Sequence, residues 1–199
     1  MNAKWLFSII LLVFLGTMLS AQTSRDQRGK RADEILIKIR RMDLANQILP
    51  LVLTKDQLDK LLPAIEKART EGRKAEEVEL EMLTKVEANV DLALKEAYED
   101  QKLPKQETMV QVASTFKTMR LRRGAITSDN VDAVMAVVEK ELNAGQKKAA
   151  ANAVQPSLFD PTLDPSKMSD TEKLRFYVQA ILLDYEAYDV LLQMRAKRK

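Results

Sequence analysis

Apolar side chains recur at three- and four-residue steps along most of this chain, the spacing that lines one face of a helix. From about Ala32 to Leu49 the positions are Ile35, Ile39, Met42, Ala45 and Leu49. Pro50 ends that run, because the residue before a proline is pushed out of helical dihedrals. From about Lys55 to Glu99 a longer stripe passes through Leu58, Leu61, Ile65, Ala68, Ala75, Val78, Met82, Val86, Val90 and Leu94, interrupted by Pro63 and Gly72. Pro63 lacks an amide hydrogen and crowds the carbonyl of Asp59, which predicts a kink, or a break into two helices. A third helix over about 105–123 turns Met109, Val112, Ala113, Phe116 and Met119 inward and stops at Gly124, with Pro104 in its first turn. A fourth, capped by Thr127 or Ser128, reaches about Glu141 on Val131, Val134, Met135, Val138 and Leu142. A short fifth helix ends near Ala153.

Pro156, Pro161 and Pro165 make residues 155–168 an extended connector, tacked down by Leu158, Phe159 and Leu163. The last helix runs to about Met194 with Leu174, Tyr177, Ile181, Tyr185, Tyr188 and Leu192 as its stripe. No alternating strand pattern of useful length occurs, so the predicted fold is all-α. It is a long helical hairpin or an irregular bundle of five to six helices, with the Pro-rich connector before the last one.

Three of the predicted helix starts carry a capping box, in which a side-chain oxygen accepts from the backbone amide three residues on and that residue's side chain reaches back. They are Thr54 with Gln57, Asn143 with Gln146, and Ser169 with Glu172. Leu53 and Leu58 add a hydrophobic staple to the first. The second repeats its Leu-x-x-x-Gln pattern from Leu142, but has Lys147 where the staple leucine would stand.

Residues 1–21 change the compartment. Lys4, the apolar run from Trp5 to Leu15 and the small residues ending at Ala21 have the layout of a secretory signal peptide. Cleavage after Ala21 gives an exported protein. Retention of the segment as an N-terminal anchor is the alternative, since its length is at the lower edge of the roughly 17–25 residues that span a bilayer. Residues 22–30 are polar and predict a disordered leader, and 31–199 a single helical domain. Removing residues 1–21 takes away Lys4 and no acid, leaving 31 basic against 29 acidic side chains. An exported chain with no cysteine and no Asn-x-Ser/Thr acceptor fits a bacterial periplasm better than a eukaryotic secretory route.

The Leu53-Thr54-x-x-Gln57 motif and its second copy Leu142-Asn143-x-x-Gln146, in an exported, helical, cysteine-free chain, resemble the LTxxQ-motif envelope proteins of the Spy and CpxP type. The resemblance covers about ten motif residues and the general layout. It implies small periplasmic helical-hairpin subunits that form homodimers and act as ATP-independent chaperones or envelope-stress modulators. This chain is longer, and its connector and tyrosine-bearing terminal helix have no counterpart in that pattern.

Catalytic chemistry is poorly supplied. Without histidine or cysteine, neither a Ser-His or Cys-His nucleophile nor a zinc-hydrolase site can be assembled. The carboxylates Glu77 and Glu81, or Asp184, Glu186 and Asp189, stand among lysines and arginines on helices, which reads as a solvated face. Met42, Met82, Met109, Met119, Met135, Met168 and Met194 are dispersed and mostly coincide with apolar stripes, which favours packing over copper ligation. No Gly-rich phosphate loop exists among the five glycines, and no cofactor is implied. The clusters Arg120-Leu121-Arg122-Arg123 and Arg195 to Lys199 suit either helix C-termini or weak contact with a membrane surface. Export and near-neutral charge argue against nucleic acid as a partner. The sequence thus reads as a non-enzymatic protein that binds unfolded or envelope polypeptides. The alternative is a structural or membrane-tethered helical protein without client activity.

Overall fold

A computed structural model describes residues 29–159 and 161–198. The expected signal segment and most of the expected leader lie outside the described residues; Gly29 and Lys30 already belong to the first helix. Among the described residues there are six α-helices and no strand. They are α1 (29–48), α2 (Lys55–Asp100), α3 (Gln106–Glu141), α4 (Ala144–Ala153), α5 (Asp170–Tyr177) and α6 (Ala187–Lys197). The chain divides into two compact units, one ending at Asp43 and one running from Leu44 to Lys199.

In the first unit, α1 leaves Ile35, Ile39 and Met42 exposed, which corrects the expected inward face. The side chains of this helix that do become fully buried are Leu44 and Ile48, in the second unit and out of phase with that stripe. The helix is therefore apolar on two sides, and the sequence pattern alone does not say which side a core selects.

The second unit is built on the antiparallel hairpin of α2 and α3. At its base, Leu58, Leu61 and Ile65 of α2 and Val131, Val134 and Val138 of α3 join Leu174, Tyr177, Ile181 and Leu191 in one core. α2 runs unbroken through Pro63, so the chain continues as one helix there and the alternative of a break does not occur. Pro63 and Asp59 are both exposed, so the carbonyl that Pro63 leaves without an amide partner faces water. α3 likewise runs through Gly124, where a stop was expected. The buried and half-buried positions Val112, Met119, Ile126 and Val134 keep their register across that glycine, and a continuous seam against α2 outweighs the roughly 1 kcal/mol a mid-helix glycine costs. Met109 and Phe116, expected to point inward, are exposed.

The proline-bearing connector contains two short 3-10 turns, Pro156–Leu158 and Pro165–Lys167, and Phe159 packs edge-on against Phe176 at 5.5 Å. The last predicted helix is divided. α5 passes into a π-helical segment, Val178–Leu182, closed by the Leu183 amide on the Val178 carbonyl at 2.9 Å, and the chain turns before α6 starts. The extra residue of a π turn shifts the register. Leu182, Ala187 and Leu191 are consequently buried, while Tyr185 and Leu192 of the expected stripe are exposed.

Candidate functional site

The two copies of the glutamine motif meet at the base of the hairpin. Thr54 Oγ1 accepts from the Gln57 amide at 3.2 Å and Gln57 Oε1 accepts from the Thr54 amide at 3.0 Å. Asn143 and Gln146 do the same for α4, at 2.9 and 3.0 Å. Both glutamine side chains then reach further. Gln57 Nε2 donates to Gln146 Oε1 at 2.9 Å and to the Glu141 carbonyl at 2.7 Å. Gln146 Nε2 donates to Gln57 Oε1 at 3.0 Å and to the Leu51 carbonyl at 2.9 Å. Each amide thus uses two donors and two acceptor positions, its full capacity. The amide orientations are fixed by their neighbours, because the Thr54 and Asn143 N–H groups require an oxygen and the two carbonyls require a nitrogen. Leu53, Leu58 and Leu142 are buried around the pair.

Val52 makes this approach possible at a cost. Its φ of 48° is in the left-handed region, unusual for a β-branched residue, and it reverses the chain so that Leu51 and Leu53 both enter the core. Lys60 pairs with Asp56 on its own helix and, across the same junction, with Glu141, at 2.8 Å each. The third box, Ser169 with Glu172, caps α5, and the reach-back from Glu172 to Ser169 holds its carboxyl below the usual carboxylate range. Sequence reasoning placed all three boxes at helix starts and missed the link between the first two.

A cleft of about 500 Å³ lies between α2, α3 and the turn after the π segment, lined by Arg69, Gly72, Asn130, Gln179 and Tyr185 among others. Two guanidiniums line it: Arg73 pairs with Glu66 at 2.8 Å, and Arg69 has its Nε buried without a hydrogen-bond partner. Arg69 stands 4.6 Å from the Tyr188 ring centroid and 5.6 Å from that of Tyr185, and pairs with Glu66 at 3.3 Å. The candidate carboxylates are not assembled into a catalytic group either. Glu77 and Glu81 are exposed on α2, and Asp184 Oδ1 accepts from the Glu186 amide at 2.9 Å within the turn. Among the described residues no cluster of three or more acidic side chains could hold a metal ion.

The basic cluster at Arg120–Arg123 sits in mid-helix, since α3 continues to Glu141, so the expected macrodipole role does not apply there. Arg123 instead forms a two-point pair with Glu79, a carboxylate 3% exposed on α2, and that pairing holds the Glu79 carboxyl below its usual range. At the C-terminal cluster, Arg195 bonds Asp59 of α2 and Lys197 ends α6, in the position that complements a helix dipole.

Beyond the core, the hairpin is only two helices thick. Its seam there is Ala75, Glu79, Val86 and Ala93 against Met119, with Asn89 donating to Gln111 at 2.8 Å. One step to the side of that seam, Leu80, Leu83, Val90 and Leu94 recur on α2, and Met109, Ala113 and Phe116 on α3. Antiparallel pairing brings these two flanks to the same side of the hairpin. Leu80 is 66% exposed and Phe116 57%. Neither protein-family models, curated proteins nor solved structures give a match to this chain.

Proposed function

We propose that this chain is a non-enzymatic, exported protein that binds polypeptides in a periplasm or equivalent compartment, as a chaperone or envelope-stress modulator in the manner of the Spy and CpxP type. The observation that carries this reading is the apolar face on the outer half of the α2–α3 hairpin, where Leu80, Leu83, Leu94, Met109 and Phe116 remain exposed. Contiguous apolar exposure of this kind marks a docking surface rather than a random scatter. Covering five half-exposed side chains is worth on the order of 5 kcal/mol before the costs of association, which suits weak, broad binding of extended segments. Light scattering of a thermally aggregating client tests it. Purified protein should suppress aggregation at low molar ratio, and Leu83→Ser with Phe116→Ser should remove most of that suppression while leaving the melting temperature within a few degrees. Absence of suppression by a compact monomer would reduce the protein to an architectural role.

Homodimerisation is a second reading, favoured by the charges beside the same face. From Glu76 to Asp100 α2 carries nine acidic and two basic side chains, whereas from Gln106 to Arg123 α3 carries four basic and one acidic. A two-fold axis along the hairpin lays the acidic helix of one copy on the basic helix of the other. Sedimentation velocity should then show a dimer that dissociates as salt is raised, and a monomer at every salt concentration would discard it.

A further inference from the structure

The stripe on α1 is a separate feature from the hairpin face and lies within the first compact unit. Ile35, Leu36, Ile39 and Met42 are 44%, 61%, 52% and 61% exposed. At 100° per residue, Ile35, Ile39 and Met42 share one narrow sector of the helix, with Leu36 at its edge. Arg31 and Lys38 border that sector on one side and Arg40 on the other. Asp33 and Glu34 point away from it, with Glu34 bonded to Arg31 at 3.1 Å. The remaining acid on the helix, Asp43, projects between Ile39 and Leu36 and is bonded to the bordering Arg40 at 2.8 Å. Over 29–43 the helix carries five basic and three acidic side chains.

Branched aliphatics in one sector with long cationic side chains along its borders is the layout of a helix lying in a lipid interface. There the aliphatic stems follow the apolar surface and the charged heads stay with the headgroups. A protein partner would be matched equally well by the apolar stripe alone; the cationic borders favour an anionic surface. On the anchored alternative, in which residues 1–21 are retained, the seven residues 22–28 reach at most about 25 Å, which keeps this helix within range of that membrane.

We propose that residues 29–43 form an interfacial helix that lies on an anionic lipid surface, with Ile35, Ile39 and Met42 turned into the acyl boundary. The proposal is independent of polypeptide binding by the hairpin. Its test is co-sedimentation of the purified protein with phosphatidylcholine vesicles, with and without phosphatidylglycerol. Binding should be strong only to the anionic vesicles and weaken with salt. Ile39→Asp, an exposed position whose substitution leaves the core untouched, should lower vesicle partitioning at least tenfold at unchanged helical content, and Lys38→Glu should lower it several-fold. Phe116→Ser on the hairpin should leave it unchanged. Equal partitioning of the parent and Ile39→Asp would overturn the proposal, because residues 1–21 or the arginine cluster of α3 would then carry the binding. So would failure to bind either vesicle, or a dimer that Ile39→Asp converts to a monomer, which would assign the stripe to a second copy of the chain.

Discussion

Replacing Gln57 by glutamate separates the two roles of its side chain. A carboxylate at this position still accepts from the Thr54 amide and suits a helix N-terminus, so capping survives. It cannot donate. An oxygen would stand where Nε2 now lies, 2.7 Å from the Glu141 carbonyl and 2.9 Å from Gln146 Oε1. Two net hydrogen bonds are lost at about 1 kcal/mol each, and acceptor faces acceptor in a half-buried junction, for a total of about 3 kcal/mol. For a chain of this length that is a fall in Tm of roughly 6–12 °C. Thermal melts of the parent and Gln57→Glu at pH 7, followed by circular dichroism, measure it. The gap should narrow as pH falls toward about 4, because the two facing acceptors raise the introduced carboxyl above the unfolded carboxylate range and its protonation restores a donor. If Gln57→Glu melts within about a degree of the parent, the glutamines do no more than cap their helices and the cross-link contributes nothing.

Three further outcomes follow from the same geometry. Val52→Asn should stabilise the protein by about 1 kcal/mol, read as a Tm rise of roughly 2–4 °C, since Val52 is 64% exposed and asparagine tolerates the left-handed region that valine does not. Gly124→Ala should add about 0.5–1 kcal/mol in urea unfolding, because nothing lies within 4 Å of the Cβ it would gain and the helix is continuous there. Glu79 has its carboxyl held down by Arg123, so its contribution to stability is present above the unfolded carboxylate range and is lost as pH falls through the lower folded value. Arg123→Met reverses that sign. The carboxylate is left buried and unpaired, so acid should raise the variant's Tm relative to the parent's, and parallel pH-dependent melts would expose an error if both fell together.

Helix type and cap position were legible because both are local. Thr54, Asn143 and Ser169 announce their helices within four residues of sequence. The link between Gln57 and Gln146 is not local, yet a trace of it is present: a capping box needs only an acceptor at its third position, which Glu172 supplies in the box that merely caps. Glutamine at both of the other two brings a spare amide N–H2 group, and a spare donor near a core needs a partner. Gly124 misled because a breaker acts against local propensity and the α2–α3 seam supplies a tertiary term that exceeds it. The two-sided apolar pattern of α1 and the π segment at Val178 were out of reach, because each depends on which neighbour claims a face or a register.

The glutamine pair also bears on how long a molecule stays folded. Its members are 89 residues apart, and the chain between them is almost wholly the hairpin, whose helices form from local contacts. Closing such a span early, from an unstructured chain, would incur the full loop entropy; closing it after the hairpin has formed adds little. The bonds should therefore be absent from the folding transition state. Their removal would leave the refolding rate near the parent's and speed unfolding, by about tenfold for each 1.4 kcal/mol lost. That places the motif's value in the lifetime of the native state.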